Sequence, residues 1–92
     1  MSKKTPPTRT VEFKLSAPQA SWVGVAGDFN NWNPETLTAR KDRRGTWLAA
    51  AKMSIGTYEY KFVVDGSWIA DPACSRRTTN AYGTENSVIV VK

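Results

Sequence analysis

The sequence predicts an all-β protein, an antiparallel β-sandwich of about seven short strands. Three observations carry that expectation. Short runs of alternating apolar and polar residues recur along the 92-residue chain, each bounded by clusters of Gly, Pro, Asn or Asp. No window shows the 3.6-residue period of an amphipathic helix. Nothing between the runs reads as the crossover helix that parallel strands need.

Residues 1–9, Met-Ser-Lys-Lys-Thr-Pro-Pro-Thr-Arg, are basic with no apolar run behind them, so they read as a flexible basic tail and not as a secretory signal. The folded module is then 10–92. Val11, Phe13 and Leu15 alternate with Glu12 and Lys14 in a first strand that stops near Pro18. Val23 and Val25 form a second, facing opposite to Trp22, Gly24 and Ala26. The stretch Gly27-Asp28-Phe29-Asn30-Asn31-Trp32-Asn33-Pro34 is dense in turn formers and ends strand pairing. Leu37 to Lys41 are expected to make a third strand, Asp42 to Gly45 a turn, and Trp47 to Met53 a fourth strand. Ser54-Ile55-Gly56 turns into the next, Asp71-Pro72 breaks the strand after that, and Ser87 to Val91 closes the system.

The most informative segment runs from Tyr58 to Trp68. Tyr58, Tyr60, Phe62 and Val64 alternate with Glu59, Lys61 and Val63, giving one apolar face and one mixed face. Asp65-Gly66 is a strong signal for a two-residue hairpin, whose primed turn needs positive φ at both central positions. Counting back from that turn pairs Val64 with Ser67, Val63 with Trp68 and Phe62 with Ile69, and paired residues share a face. Trp68 therefore lies beside Val63 and diagonal to Lys61, away from the tyrosines. An indole next to an ammonium on a sheet surface suits a sugar, with the ring covering the apolar face of a pyranose and the cation donating to its hydroxyls.

Composition removes several alternatives. Forty per cent hydrophobic residues with no run near the ~20 apolar residues of a membrane span describe one globular domain. Histidine is absent, which excludes a Ser/His/Asp triad and a histidine zinc site. No cofactor fingerprint or activated nucleophile is visible, so no enzyme, cofactor or metal is expected. The lone Cys74 cannot form an internal disulfide. That agrees with a reducing cytoplasm, the expected location, and also with a secreted fragment of a longer chain. The net charge of +5 is scattered over the tail, the Arg40 to Arg44 turn and Arg76-Arg77. A solvated surface explains it better than a nucleic-acid stripe.

Four separated blocks in order carry a resemblance: Val-Ala-Gly-Asp-Phe-Asn-Asn-Trp (25–32), Gly-Thr-Tyr-Glu-Tyr-Lys-Phe-Val-Val-Asp-Gly-Ser-Trp (56–68), Asp71-Pro72, and Gly-Thr-Glu-Asn-Ser-Val-Ile-Val-Val (83–91). Together they resemble carbohydrate-binding module family 48. This glycogen-binding module occurs in the β subunit of AMP-activated protein kinase and at the N-terminus of isoamylases, pullulanases and glycogen branching enzymes. The resemblance implies an immunoglobulin-like, early-set sandwich that binds α-1,4-glucans such as glycogen, starch or maltooligosaccharides. Carried over motif by motif, it assigns sugar binding to Trp32, Lys61 and Trp68 and to the loop residues Tyr82, Thr84 and Asn86. Tyr82 departs from the leucine familiar there in the kinase subunit.

Physical chemistry supports these residue types. A sugar is heavily hydrated, so each direct hydrogen bond contributes only roughly 0.5–1.5 kcal/mol and dehydration of apolar surface must supply much of the affinity. Two indoles at an angle suit the curved path of an α-1,4-glucan, while Lys61, Thr84 and Asn86 would select hydroxyl positions. Plainer readings compete. Trp32 can be a lid over the sandwich edge, Lys61 a solvated outer-face lysine, and Thr84 and Asn86 partners for backbone groups. Trp47 reads as core, and Asp28, Asp65 and Asp71 as turn residues. The expectation is a non-catalytic module whose partner is an α-glucan polysaccharide or oligosaccharide, with an α-glucan-processing enzyme as a further partner and neither nucleic acid nor membrane. The alternative is an accessory or interaction domain of an amylase-superfamily enzyme or kinase-type complex with little sugar binding of its own.

Overall fold

The computed structural model describes residues 7–92. Eight strands follow one another: β1 (Thr8–Ser16), β2 (Val23–Gly27), β3 (Arg40–Lys41), β4 (Thr46–Ser54), β5 (Gly56–Val64), β6 (Ser67–Ile69), β7 (Arg77–Thr79) and β8 (Glu85–Val91). One sheet has the order β1-β4-β3 and the other β2-β5-β8-β7, with β6 also paired to β5. Every pairing is antiparallel. The two sheets enclose one core, the immunoglobulin-like sandwich expected from the sequence.

Alternation decides which side chains reach that core. In the first sheet Phe13, Leu15, Trp47, Ala49 and Met53 are buried while Glu12, Lys14, Leu48, Ala50 and Lys52 face out. The second sheet contributes Val23, Val25, Tyr60, Phe62 and Val91. Phe62 is fully buried, which is worth about 1.5–3 kcal/mol for a side chain of that size. Phe13 packs edge-on against Tyr60 at a centroid distance of 5.0 Å, and Tyr60 in turn against Phe62 at 6.0 Å. Trp47 is core as read from the sequence, and its indole N–H donates to the Ala17 carbonyl at 2.9 Å.

A polar cluster closes the inner face. The Tyr60 hydroxyl donates to Asp71 Oδ2 at 2.6 Å, and the Asp71 backbone N–H donates to Ser87 Oγ at 2.8 Å. Burial pushes the Tyr60 phenol well above its ordinary value, and its bond to Asp71 pushes the same way. Asp71-Pro72 thus ends the chain's return past β6 and also anchors it to β5 and β8.

The hairpin register is the one counted from the sequence: Val64 opposite Ser67, Val63 opposite Trp68, Phe62 opposite Ile69. Asp65 and Gly66 adopt φ of 48° and 88°, as a primed turn requires. The Asp65 carboxylate also accepts the Ser21 and Trp22 backbone N–H groups, at 3.0 Å and 2.8 Å, tying the turn to the segment before β2.

Other expectations change. Of the expected tail, Thr8 and Arg9 open β1 opposite Ser54 and Met53, while residues 1–6 lie outside the described residues. The expected third strand divides between the sheets. Leu37 and Ala39 exchange backbone hydrogen bonds with β2, whereas Arg40 and Lys41 pair with β4. Gly24 and Ala26 face away from the core as read, yet both are buried. A methyl group on Gly24 would meet the Pro34 carbonyl oxygen at 2.5 Å and the Trp22 ring at 2.6 Å, so those residues cover this end of the outer face. Strand β7 and the two single-turn 3-10 segments at Asp28–Asn30 and Pro34–Thr36 are not legible as periodic patterns.

Candidate functional site

Strand β5 is shared. On one edge β2 pairs with Tyr60 to Val64; on the other β8 pairs with Gly56 to Tyr60 and β6 with Phe62 to Val64. The start of β8 and the short β6 therefore meet end to end beside Lys61. Outward-facing side chains from all three strands converge there, and the turn between β7 and β8 rises next to them.

The result is a groove of about 870 Å³ whose lining includes Trp32, Lys61, Trp68, Tyr82, Thr84 and Asn86, the six residues singled out from the sequence. Asp28, Glu59, Thr79, Asn80 and Ala81 complete it. Trp68 is 47% exposed and stands on the outer face opposite Val63. Tyr82 is 92% exposed at the loop tip. Lys61 is not the solvated outer-face lysine of the plainer reading. It is 8% exposed, and its ammonium donates to Thr84 Oγ1 at 3.0 Å.

Trp32 is half-buried and reaches the groove through an unusual backbone. Asn31 and Trp32 both have positive φ, 54° and 58°. Asparagine tolerates this region, but an ordinary L residue there costs about 1–2 kcal/mol. Asn30 holds the loop against that strain. Its side-chain oxygen accepts the Gly27 N–H at 2.9 Å, and its amide nitrogen donates to the Val25 and Asn33 carbonyls at 2.9 and 3.0 Å. The Trp32 N–H itself donates to the Gly27 carbonyl at 3.0 Å. Asp28 accepts the Glu59 backbone N–H at 2.8 Å, fixing this loop to β5.

The opposite wall is held by Asn80, which sequence reading missed. Asn80 Oδ1 accepts the Tyr82 and Thr84 backbone N–H groups at 2.9 and 3.1 Å. Its amide nitrogen donates to Thr84 Oγ1 at 2.7 Å and to Asn86 Oδ1 at 3.1 Å. Asn86 donates onward to Glu59 Oε1 at 3.0 Å. Signals for both residues existed. An asparagine three positions before Gly83 is a side-chain-capped turn, and Glu59 shares its face with Lys61 two residues away.

Chemically the groove offers three aromatic side chains, one cation, two carboxylates and a set of neutral hydrogen-bonding groups. Among the described residues no group of three His, Cys, Asp or Glu side chains is placed to hold a metal ion, and no helix is long and apolar enough to cross a membrane.

Residues 10–92 match the family model for the glycogen recognition site of AMP-activated protein kinase. The β-1 subunit of 5'-AMP-activated protein kinase from Sus scrofa is 37% identical over 70 residues, covering 76% of this chain and 54% of that protein. Its Bos taurus counterpart is 39% identical over 70 residues, with 76% of this chain and 24% of that protein covered. The protein FLOURY ENDOSPERM 6, chloroplastic, of Oryza sativa subsp. japonica is 37% identical over 83 residues, 90% of this chain and 15% of that protein. The chain thus spans about half of the pig relative and less of the others. In fold it is similar to a maltogenic amylase from S. marinus, with a TM-score of 0.76 and 24% identity over 90% of this chain and 13% of that one. A family match over residues 10–92 makes this chain a member of the family formed by the glycogen recognition site of AMP-activated protein kinase.

Proposed function

We propose that the chain is a non-catalytic module that binds α-1,4-glucans, namely glycogen, starch or maltooligosaccharides, by stacking them on Trp32 and Trp68. The observation that carries this reading is the convergence of both indoles with Lys61, Tyr82, Thr84 and Asn86 on one groove. Rings dehydrate the apolar faces of glucose units, and the polar residues choose among hydroxyl positions. The reading takes the cytoplasm as the working compartment, where the single Cys74 stays a thiol.

Calorimetric titration with β-cyclodextrin or maltoheptaose tests it. The wild type is expected to bind and Trp68→Ala to weaken binding roughly 10- to 100-fold, the loss of one buried aromatic face. Trp68 is half-exposed, so the variant should fold normally. No binding by the wild type, or normal binding by a folded Trp68→Ala, sinks the proposal.

A second reading, an accessory or interaction domain of a kinase-type complex or an amylase-superfamily enzyme, is favoured by the names of the mammalian relatives, which are kinase subunits. On that reading the isolated chain binds an enzyme partner and gives no heat with either sugar.

A further inference from the structure

We infer that Asn80 is the positioning residue of the groove, setting which hydrogen-bonding groups of Thr84 and Asn86 remain for a glucan. The inference rests on the glucan-binding reading and deepens it.

Two backbone N–H groups, from Tyr82 and Thr84, point at Asn80 Oδ1, which fixes the orientation of the amide. Both protons of the amide nitrogen are then directed at Thr84 Oγ1 and Asn86 Oδ1. All four hydrogen-bonding positions of Asn80 are consumed within its own neighbourhood, so it has none left for a ligand.

Its neighbours are left in a defined state. Thr84 Oγ1 accepts from Asn80 and also from the Lys61 ammonium, which can only donate. Both lone pairs of that hydroxyl are occupied, and among the described residues its proton alone has no partner. Lys61 keeps two N–H donors. Asn86 accepts from Asn80 and donates to Glu59, keeping one N–H and one lone pair. The groove therefore presents a donor-rich row from Lys61 through Thr84 to Asn86, bordered by the acceptor oxygens of Glu59. Adjacent hydroxyls of a pyranose, each able to accept from one side and donate to the other, match that polarity.

The test compares Asn80→Asp with Asn80→Ala by titration with β-cyclodextrin. Aspartate keeps an acceptor for the Tyr82 and Thr84 N–H groups but cannot donate to Thr84 or Asn86. A residue that only braces the loop is rescued by aspartate; a positioning residue is not. Both variants are expected to bind roughly tenfold more weakly than the wild type, with aspartate no better than alanine. The loss should persist in 1 M salt, where a simple charge effect is screened. Backbone amide resonances of Tyr82 and Thr84 report whether the loop is intact. Should the loop collapse in both variants, Thr84→Val carries the test, because it removes the oriented hydroxyl and leaves the Asn80 backbone bonds in place. It should lose the same roughly tenfold.

Wild-type affinity in an intact Asn80→Asp, or in Thr84→Val, overturns the inference while leaving the glucan reading standing. No binding by the wild-type chain overturns both.

Discussion

The Lys61 ammonium lies 3.0 Å from Thr84 Oγ1, joining the middle of β5 to a loop twenty-three residues later. An 8% exposed lysine on a sheet face would be costly if unpaired. Here the ammonium donates to Thr84 Oγ1 while the side chain lines the groove. Lys61 is thus held by its own chain, and under the proposed glucan-binding function that would limit the ordering that binding must impose.

Lys61→Met separates this role from folding. Methionine fills nearly the same volume without a buried charge, so the thermal midpoint should hold or rise. Affinity for β-cyclodextrin should fall roughly tenfold, as expected for one or two lost hydrogen bonds from a charged donor. Calorimetry and thermal unfolding on the same preparation check both halves. A lowered midpoint with unchanged affinity would make Lys61 a folding residue.

Gly27 links stability to the position of Trp32. A methyl group there would meet Phe29 Cε2 at 2.5 Å and the Glu59 carbonyl oxygen at 2.6 Å. Gly27→Ala should therefore destabilise by about 1–3 kcal/mol in urea unfolding. Because the Gly27 carbonyl accepts the Trp32 N–H, sugar affinity should drop as well. Gly56→Ala is the control, since its nearest neighbour would be the Tyr58 hydroxyl oxygen at 3.5 Å, and it should be tolerated.

Asp65 does more than turn the hairpin. Asp65→Ala removes the acceptor for the Ser21 and Trp22 N–H groups and leaves alanine at a positive φ. A loss of about 1.5–3 kcal/mol is expected for bonds to a charged acceptor. Asp65→Asn keeps one acceptor oxygen and tolerates the backbone, so its urea midpoint should fall between those of the wild type and the alanine variant.

Alkali should act through Tyr60. Its folded pKa is raised above the ordinary 10.0, chiefly by burial and then by the bond to Asp71. Above pH 10 the unfolded chain releases this proton and the folded chain keeps it, so stability falls as pH rises beyond that point. Below pH 10 this group adds no slope. Tyr60→Phe should flatten the alkaline limb while lowering stability at neutral pH by about 1–3 kcal/mol, because Asp71 loses a partner. Asp42 acts at the acid end. The backbone N–H groups of Thr46 and Arg44 hold its carboxyl below 3.8, so what it contributes is present above that value and is lost as pH falls through the folded pKa. Urea unfolding across pH measures both limbs.

Much of this was legible in the residues. The alternation in β1 and β5 identified their core side chains, because one buried face imposes a period of two, whereas in the alanine-rich β4 only Trp47 was readable as core. The Gly-Asp-Phe-Asn-Asn-Trp run was readable as a turn, but the positive φ of Trp32 was not, since side-chain bonds from Asn30 enforce it. Strand β7 escaped because three residues, Arg77 to Thr79, are too few to show a period. Leu37 to Lys41 looked like one strand, yet its two halves bond to different sheets.

By itself the sequence determined the Asp65-Gly66 hairpin and the face on which Trp68 stands, because a primed turn and a period of two are local requirements of the backbone. Only the tertiary structure decided that β6 and β8 share an edge of β5, that Lys61 is buried, and that Asn80 holds Thr84 and Asn86. Those features depend on hydrogen bonds and coverage between segments far apart in the chain, and no local pattern records which segments will meet.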